Sequence, residues 1–403
     1  MHTSLSLDIN TTTNIYFLNF NQTYTCLCIG TDKGYQIYKC DPTKRVLQKN
    51  VPPNGVSYIT MLNETNIVAY IKKDHDKDKK EEKKVIIYNE SDNIIVGILE
   101  FKDIIRQVLL NTASIIVTLD DHAYIYSLLK LNLQHKININ PLAKGVGCVS
   151  PVQNSIFYLG LTNSVIGAIK IMRFRVKNKY HIINDNNNDN NNNNNNNHNN
   201  NNNDNTIIYP KENENIQNKT TTNNSIEYIN PKNSIIIAHQ SNIRFMTLSH
   251  NGKFIATCSE KGTLIRIYNT NTKKLIKELR RGSDEAIINW ICFNQNNTHL
   301  LCRSKKGTIH VFHTDYREER NQNNKLLYIT SYINKYFSPL KKYMPKYIDS
   351  EWSFAQFNFQ GKSTISAFSN NEPNVIYVIS FDGTVFKINF NDINHVTVIK
   401  QSL

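Results

Sequence analysis

The sequence predicts an all-β chain closed into a seven-bladed β-propeller with disordered inserts. Three observations carry that expectation. Short apolar runs rich in Ile, Val, Tyr and Phe alternate with turn residues along most of the 403 residues, which is the pattern of strands. Four stretches share one local grammar: "CIGTDKGYQIY", "TCSEKGTLIRIY", "CRSKKGTIHVF" and "VISFDGTVFKI" each place a strand, a polar turn closing on Gly34, Gly262, Gly307 or Gly383, and a second strand in that order. Gly262 and Gly307 lie 45 residues apart, close to the roughly 40 to 45 residues of a four-stranded blade.

The units follow in chain order. The first opens at Asn14 with "NIYFLNF" and continues through the Gly34 hairpin. Weaker copies of the same pattern fall at 58 to 90, 104 to 127 and 155 to 172, and three clear units close the chain. Together with the first, these make seven. Because propellers often let one terminus complete the blade begun at the other, a shared closing blade is expected here. The rival organisation, two β-domains split at the Asn tract, requires the repeats on either side to be coincidental.

Three inserts interrupt the blades. Residues 72 to 84, "KKDHDKDKKEEKK", mix both charge signs and read as a solvated loop. The run from 184 to 205 contains only Asn, Asp and His198, too polar to bury and too uniform to specify a structure, so a disordered insert is expected over 184 to 230. Residues 313 to 349 make a third excursion, inside the sixth blade.

Composition narrows the chemistry. Lys plus Arg number 47 against 33 Asp plus Glu, a net charge of +14 that favours anionic partners without choosing among them. The seven cysteines lie mostly in apolar β-like runs with no CxxC spacing, and read as reduced core thiols rather than zinc ligands or a disulfide framework. The N-terminus lacks a basic segment followed by an apolar run, and no stretch of about eighteen apolar residues occurs, so neither a secretory signal nor a membrane span is expected. A cytoplasmic chain follows from these readings. With no assembled nucleophile, metal cluster or phosphate-binding loop, neither an enzyme nor a cofactor is expected.

Adjacent arginines, Arg280 and Arg281, precede Gly282 in "KELRRGSDEA". Successive side chains on an extended segment point to opposite sides, so the pair should diverge toward the two flanking blades and take two anions. A planar guanidinium suits phosphate because its fork donates paired, charge-assisted hydrogen bonds. As exposed rim side chains, both are expected to be replaceable with little loss of stability.

The surroundings, "LIRIYNTNTKKLIKELRRGSDEAIINWICFNQNNTHLLCRSKKGTIHVF", resemble the signature region of the PROPPIN family, seven-bladed WD-repeat propellers that bind phosphoinositides. "LNFNQTYTCLCIGTDKGYQIYKCDP", "AHQSNIRFMTLSHNGKFIATCSEKGTLIRIY" and "SEWSFAQF" resemble the same family, and the likeness is least clear from 52 to 235. It implies two headgroup sites. The first would use Arg280 with His239, Ser259, Gly262, Thr263 and Arg266; the second would use Arg281 and Gly282 with Ser304, Thr308 and His310. Hydroxyls and a glycine amide can donate to phosphate, and each histidine can add a donor or, protonated, a charge. The bland alternative is that Ser259, Gly262, Thr263, Ser304 and Thr308 only satisfy turn backbones and that the histidines are structural. Arg303, where the family has a small residue, would either add charge to the second site or face solvent.

Within the third insert, Leu326, Ile329, Ile333, Tyr336 and Leu340 follow helical spacing, with Tyr332 and Phe337 beside the stripe and lysines including Lys341 and Lys342 around it. This suits a membrane-contact loop, and the resemblance implies one at this place. The resemblance further implies a monomeric effector recruited peripherally to membranes carrying phosphatidylinositol 3-phosphate or the 3,5-bisphosphate, with autophagy-related protein partners. Rivals from other classes are a protein scaffold binding acidic or phosphorylated partners and, behind it, a nucleic-acid binder; no nucleic-acid partner is expected.

Overall fold

The computed structural model describes residues 13–41, 43–180, 222–229, 234–314, 350–359, 363–390 and 397–402. Seven sheets follow one another along the chain, antiparallel but for one short edge pairing. The first holds Ile15–Phe20, Cys26–Thr31, Gly34–Cys40 and Thr43–Asn50 in sequence order; the others occupy 56–100, 107–138, 147–237, 243–280, 288–358 and 364–402. We number these blades 1 to 7. The first strands of all seven line an axial cavity of about 510 Å³.

Burial explains the composition of the strands. Each blade stacks both faces against its neighbours, so an inner strand such as Cys26–Thr31 is buried at every position and reads as a continuous apolar run. The outer strand Thr43–Asn50 lies at the circumference and alternates between exposed and half-buried residues. The apolar core divides into clusters that each join two adjacent blades; Ala256, Cys258 and Leu279 of blade 5, for example, meet Leu300, Cys302 and Phe312 of blade 6.

The ring closes differently from the sequence expectation. Blade 1 is built wholly from N-terminal strands and blade 7 wholly from Thr364–Phe368, Val375–Ser380, Thr384–Asn389 and Thr397–Ser402. Among the described residues no strand is shared between them, because each end supplies its own four. Packing closes the ring instead: Leu27, Ile29 and Tyr38 meet Ile365, Tyr377 and Ile379 in one buried cluster. Asn370 adds a hydrogen bond from its Nδ2 to the Thr23 carbonyl.

Two blades carry additions. In blade 4 the strand Ala168–Tyr180 pairs with Ile235–Ile237 near its start and with Thr222–Tyr228 beyond. In blade 5 a short strand, Glu351–Trp352, pairs in parallel with Leu279 and Arg280 at the outer edge before the chain enters Ala355–Asn358, the last strand of blade 6. The Asn tract and the membrane-contact candidates Leu326, Ile329, Tyr332, Ile333, Tyr336, Phe337, Lys341 and Lys342 lie outside the described residues. No helix among the described residues is long and apolar enough to cross a membrane.

All seven cysteines are buried as free thiols. Burial raises the pKa of every one. The native chain should therefore react slowly with a disulfide thiol reagent at neutral pH and expose seven titratable thiols in denaturant. Rapid native titration of any of them would contradict this packing.

Candidate functional site

Alternation along the blade 5 strands sorts its side chains between two seams. Arg266 pairs across the sheet with Glu278, and Leu264 with Arg280, while the intervening Ile265 and Leu279 enter the cluster shared with blade 6. Arg266, Glu278 and Arg280 therefore lie on the side facing blade 4. There Arg266 Nη1 donates to the Ala238 carbonyl at 2.6 Å, and its Nε pairs with Glu278 Oε2 at 2.9 Å. His239, the next residue, is buried with Nε2 3.1 Å from Thr257 Oγ1. Ser259 ends the same strand as Thr257, two residues on, and is buried on the same side.

The second seam opens between blades 5 and 6. Arg281 leaves the last strand of blade 5, its main-chain N–H donating to the Thr263 carbonyl at 2.9 Å and its Nε to the Gly262 carbonyl at 3.0 Å. Its Nη2 donates to the Asp284 carbonyl. Ser304 closes the strand His299–Ser304, and His310 lies across the sheet from Cys302, whose thiol packs in the blade 5 cluster. Burial lowers the His310 pKa first, and the Arg281 charge lowers it further. Thr308 begins the facing strand and is half-buried, and a side chain at Gly282 would meet nothing within 4 Å.

Glycine is required at 262. Its φ is +61°, and a Cβ there would lie on the Ala286 carbonyl oxygen of the linker into blade 6. That close approach lets the hairpin of blade 5 hold the arginine segment.

The residues named from the sequence thus divide between two adjacent seams, with Arg280 in the first and Arg281 in the second. Several side chains differ from expectation. Arg280 and Arg281 are only 6% and 8% exposed, so they are not free rim side chains, and replacing them removes hydrogen bonds as well as charge. Both histidines have their pKa lowered to about 4, His239 by burial and Arg266, His310 by burial and Arg281, so at neutral pH they are donors or acceptors and carry no charge. Arg303 is 1% exposed and sits between Cys302 and Ser304 on the opposite side of its strand, where its neighbour in parity, Leu301, joins the cluster with blade 7. It neither serves the second seam nor faces solvent.

Sequence reasoning missed the strap that touches both seams. Ser350 Oγ accepts from Arg280 Nε at 2.9 Å, and Ser353 Oγ lies 3.0 Å from His310 Nδ1. Lys277 anchors the strap through Glu351 at 2.8 Å. Its only signal in the sequence was the motif "SEWSFAQF", whose first and fourth residues are these serines. Glu278, which offsets the Arg266 charge, was likewise passed over although it lies within "KELRRG".

A family model described as PROPPIN matches residues 198–401. The chain is 26% identical over 324 residues to Autophagy-related protein 18 of Saccharomyces cerevisiae, an alignment covering 76% of this chain. It spans 64% of the length of that yeast relative. In structure it is similar to Kluyveromyces lactis Hsv2, with TM-score 0.66, 19% identity and coverage of 97% of this chain and 99% of that one. It is also similar to KlAtg21 in a complex with the coiled-coil of AgAtg16, with TM-score 0.64, 22% identity and the same 97% and 99% coverage.

Two outcomes follow from the site. Gly262→Ala should destabilise the fold by about 2–4 kcal/mol in denaturant unfolding, because the linker must move to admit the methyl group. Unchanged stability would mean the close approach is absent. For the histidines, the native pKa of about 4 lies below the ordinary 6.5, so the unfolded chain takes up protons that the native chain refuses. Their contribution is complete above pH 6.5 and is lost progressively as pH falls toward 4. The thermal midpoint should drop across that window, and drop less in a His239→Gln, His310→Gln variant.

Proposed function

The chain belongs to the PROPPIN family, and on that premise we propose that it is a phosphoinositide-binding membrane effector with one headgroup pocket in each of the two seams. The observation that carries this reading is in the second seam. Ser304 Oγ and His310 Nε2 are both buried without a hydrogen-bond partner, beside a guanidinium whose partners there are main-chain carbonyls. An unmade hydrogen bond on a buried polar group costs about 1–3 kcal/mol. A phosphate entering the seam would satisfy both groups and meet the Arg281 charge. When Ser353 donates to Nδ1, the proton of neutral His310 sits on Nε2, where it can donate to a phosphate oxygen.

The first seam offers Arg280, Arg266, His239 and Ser259, with Gly262 and Thr263 in the hairpin above. Glu278 offsets Arg266 there, which leaves the charge of Arg280, as the second seam has that of Arg281. Both pockets therefore bind weakly alone. Two pockets engaging one bilayer, with the 313–349 segment as a third contact, gain roughly 10² to 10⁴ in avidity. Phosphatidylinositol 3-phosphate or the 3,5-bisphosphate are the lipids we assign.

Recruitment of a cytoplasmic, monomeric chain to such membranes would place it in autophagy-related or endolysosomal membrane formation, where it acts as a scaffold. The name of its yeast relative and the coiled-coil complex of KlAtg21 support protein partners in that role. We assign it no reaction.

Ser304→Ala separates binding from folding. Removing an unpartnered buried hydroxyl should leave stability equal or about 1 kcal/mol higher, while soluble inositol 1,3-bisphosphate binds several-fold more weakly. An Arg280→Thr, Arg281→Thr variant, checked for folding by thermal melting, should lose co-sedimentation with phosphatidylinositol 3-phosphate liposomes while an equally charged phosphatidylserine control shows no selectivity. Selective sedimentation by the folded double variant would reject the assignment. Binding of the parent to acidic peptides with indifference to liposome composition would favour the scaffold reading.

A further inference from the structure

The hairpin tips on the face that carries both seams are polar in most blades: "TDKG" in blade 1, "LDDH" in blade 3, "SEKG" in blade 5 and "SKKG" in blade 6. Blade 2 has the charged 72–84 loop, and Phe381 of the blade 7 tip packs against the blade 1 cluster. Blade 4 departs from this. Its tip, "TNSVIG", is two residues longer, and Val165 and Ile166 are 53% and 54% exposed. Nothing among the described residues covers them, and a turn does not call for β-branched residues.

The tip is rigid. Asn163 Oδ1 accepts from the Val165 N–H at 3.1 Å, and the Asn163 N–H donates to the Ala168 carbonyl at 3.0 Å. Gly167 has φ +70°, and a Cβ there would lie on the His239 carbonyl oxygen, the same device that seats Gly262 on Ala286.

A relay of main-chain hydrogen bonds ties this tip to the candidate pockets. The Gly167 carbonyl accepts from the His239 N–H at 3.0 Å, Glu260 N–H donates to Asn242 at 3.0 Å, Ala286 to Lys261 at 3.2 Å, and Lys305 to Ile287 at 2.7 Å. The tips of blades 4, 5 and 6 therefore share one edge. Along it the aliphatic pair of blade 4 is followed by Glu260 and Lys261, then by Ile287 at 41% exposure, then by Lys305 and Lys306. Ile237, which is 74% exposed, lies two residues before His239 on the same approach.

We propose that the Val165–Ile166 tip of blade 4 is an apolar membrane contact that enters the lipid interface beside the first headgroup pocket. This inference rests on the headgroup reading above, which sets the edge against a bilayer. An edge that binds headgroups brings its neighbouring tips to the depth of the lipid interface, where aliphatic side chains gain by leaving water and lysines gain at an anionic surface. Blade 4 thereby supplies a fixed apolar anchor at the opposite end of the edge from blade 6. It would also orient the propeller, since contacts at both ends resist rocking about the pockets.

The test compares the parent with Val165→Ser, Ile166→Ser and with Val165→Leu, Ile166→Leu. Each is measured on phosphatidylcholine vesicles containing phosphatidylinositol 3-phosphate and, separately, with soluble inositol 1,3-bisphosphate. The serine variant should bind the vesicles about tenfold more weakly, bind the soluble headgroup as the parent does, and be restored by leucine. Vesicle binding equal to that of the parent would overturn the proposal, as would a parallel loss of soluble headgroup affinity, which would make the tip a support of the pocket. If the parent binds no soluble headgroup, the headgroup reading fails first and visibly, and this inference falls with it.

Discussion

Burial of both faces of every blade is the constraint on which the rest of the structure depends. A polar side chain on an inner strand has water on neither side, so it must find a partner in the seam or lie where the seam opens. Ser259 and Ser304 sit at strand ends and His239 in the linker between blades 4 and 5, while His310 lies within the strand Thr308–His313. Thr257 satisfies His239, whereas Ser304 Oγ and His310 Nε2 are left over. The seam that is apolar through Ile288, Cys302 and Phe312 thus ends in unpartnered polar atoms where a guanidinium enters it.

The two arginines are positioned by different means. Arg281 is held by carbonyls of the hairpin that Gly262 allows to approach, so its hydrogen bonds orient it without cancelling its charge. Arg280 is held at the blade edge by the strap, which pairs in parallel with it. Because the strap also reaches His310 through Ser353, the segment returning from the 313–349 excursion touches both seams. A side chain pinned this way loses little further freedom on binding an anion, which favours phosphate over a water shell.

The blades were legible because the hairpin turns repeat a glycine at the same place between two strands. Gly262, Gly307 and Gly383 all take positive φ, so the backbone demand that makes them glycine is also what made them readable. The arginine pair was legible for a different reason, the divergence of neighbouring side chains on a strand. The mode of closure was not, since whether blade 1 borrows a strand depends on pairing between distant segments that carry no local mark. The burial of Arg280 and Arg281, the neutrality of the histidines and the turning away of Arg303 are consequences of how blades stack. Strand parity could have placed Arg303 opposite Ser304, but only once the stacking face of Leu301 was known. The exposed tip of blade 4 was visible as letters, yet exposure becomes meaningful only when the neighbouring tips are on one edge.

The central claim is that two separate seams each take one phosphorylated headgroup. Counting bound ligands tests it most directly, by native mass spectrometry of the full chain with soluble inositol 1,3-bisphosphate. The account predicts a mixture that saturates at two headgroups per chain, falling to one when His310 is replaced by alanine. Saturation at one headgroup in the parent, or a count indifferent to His310, would contradict it.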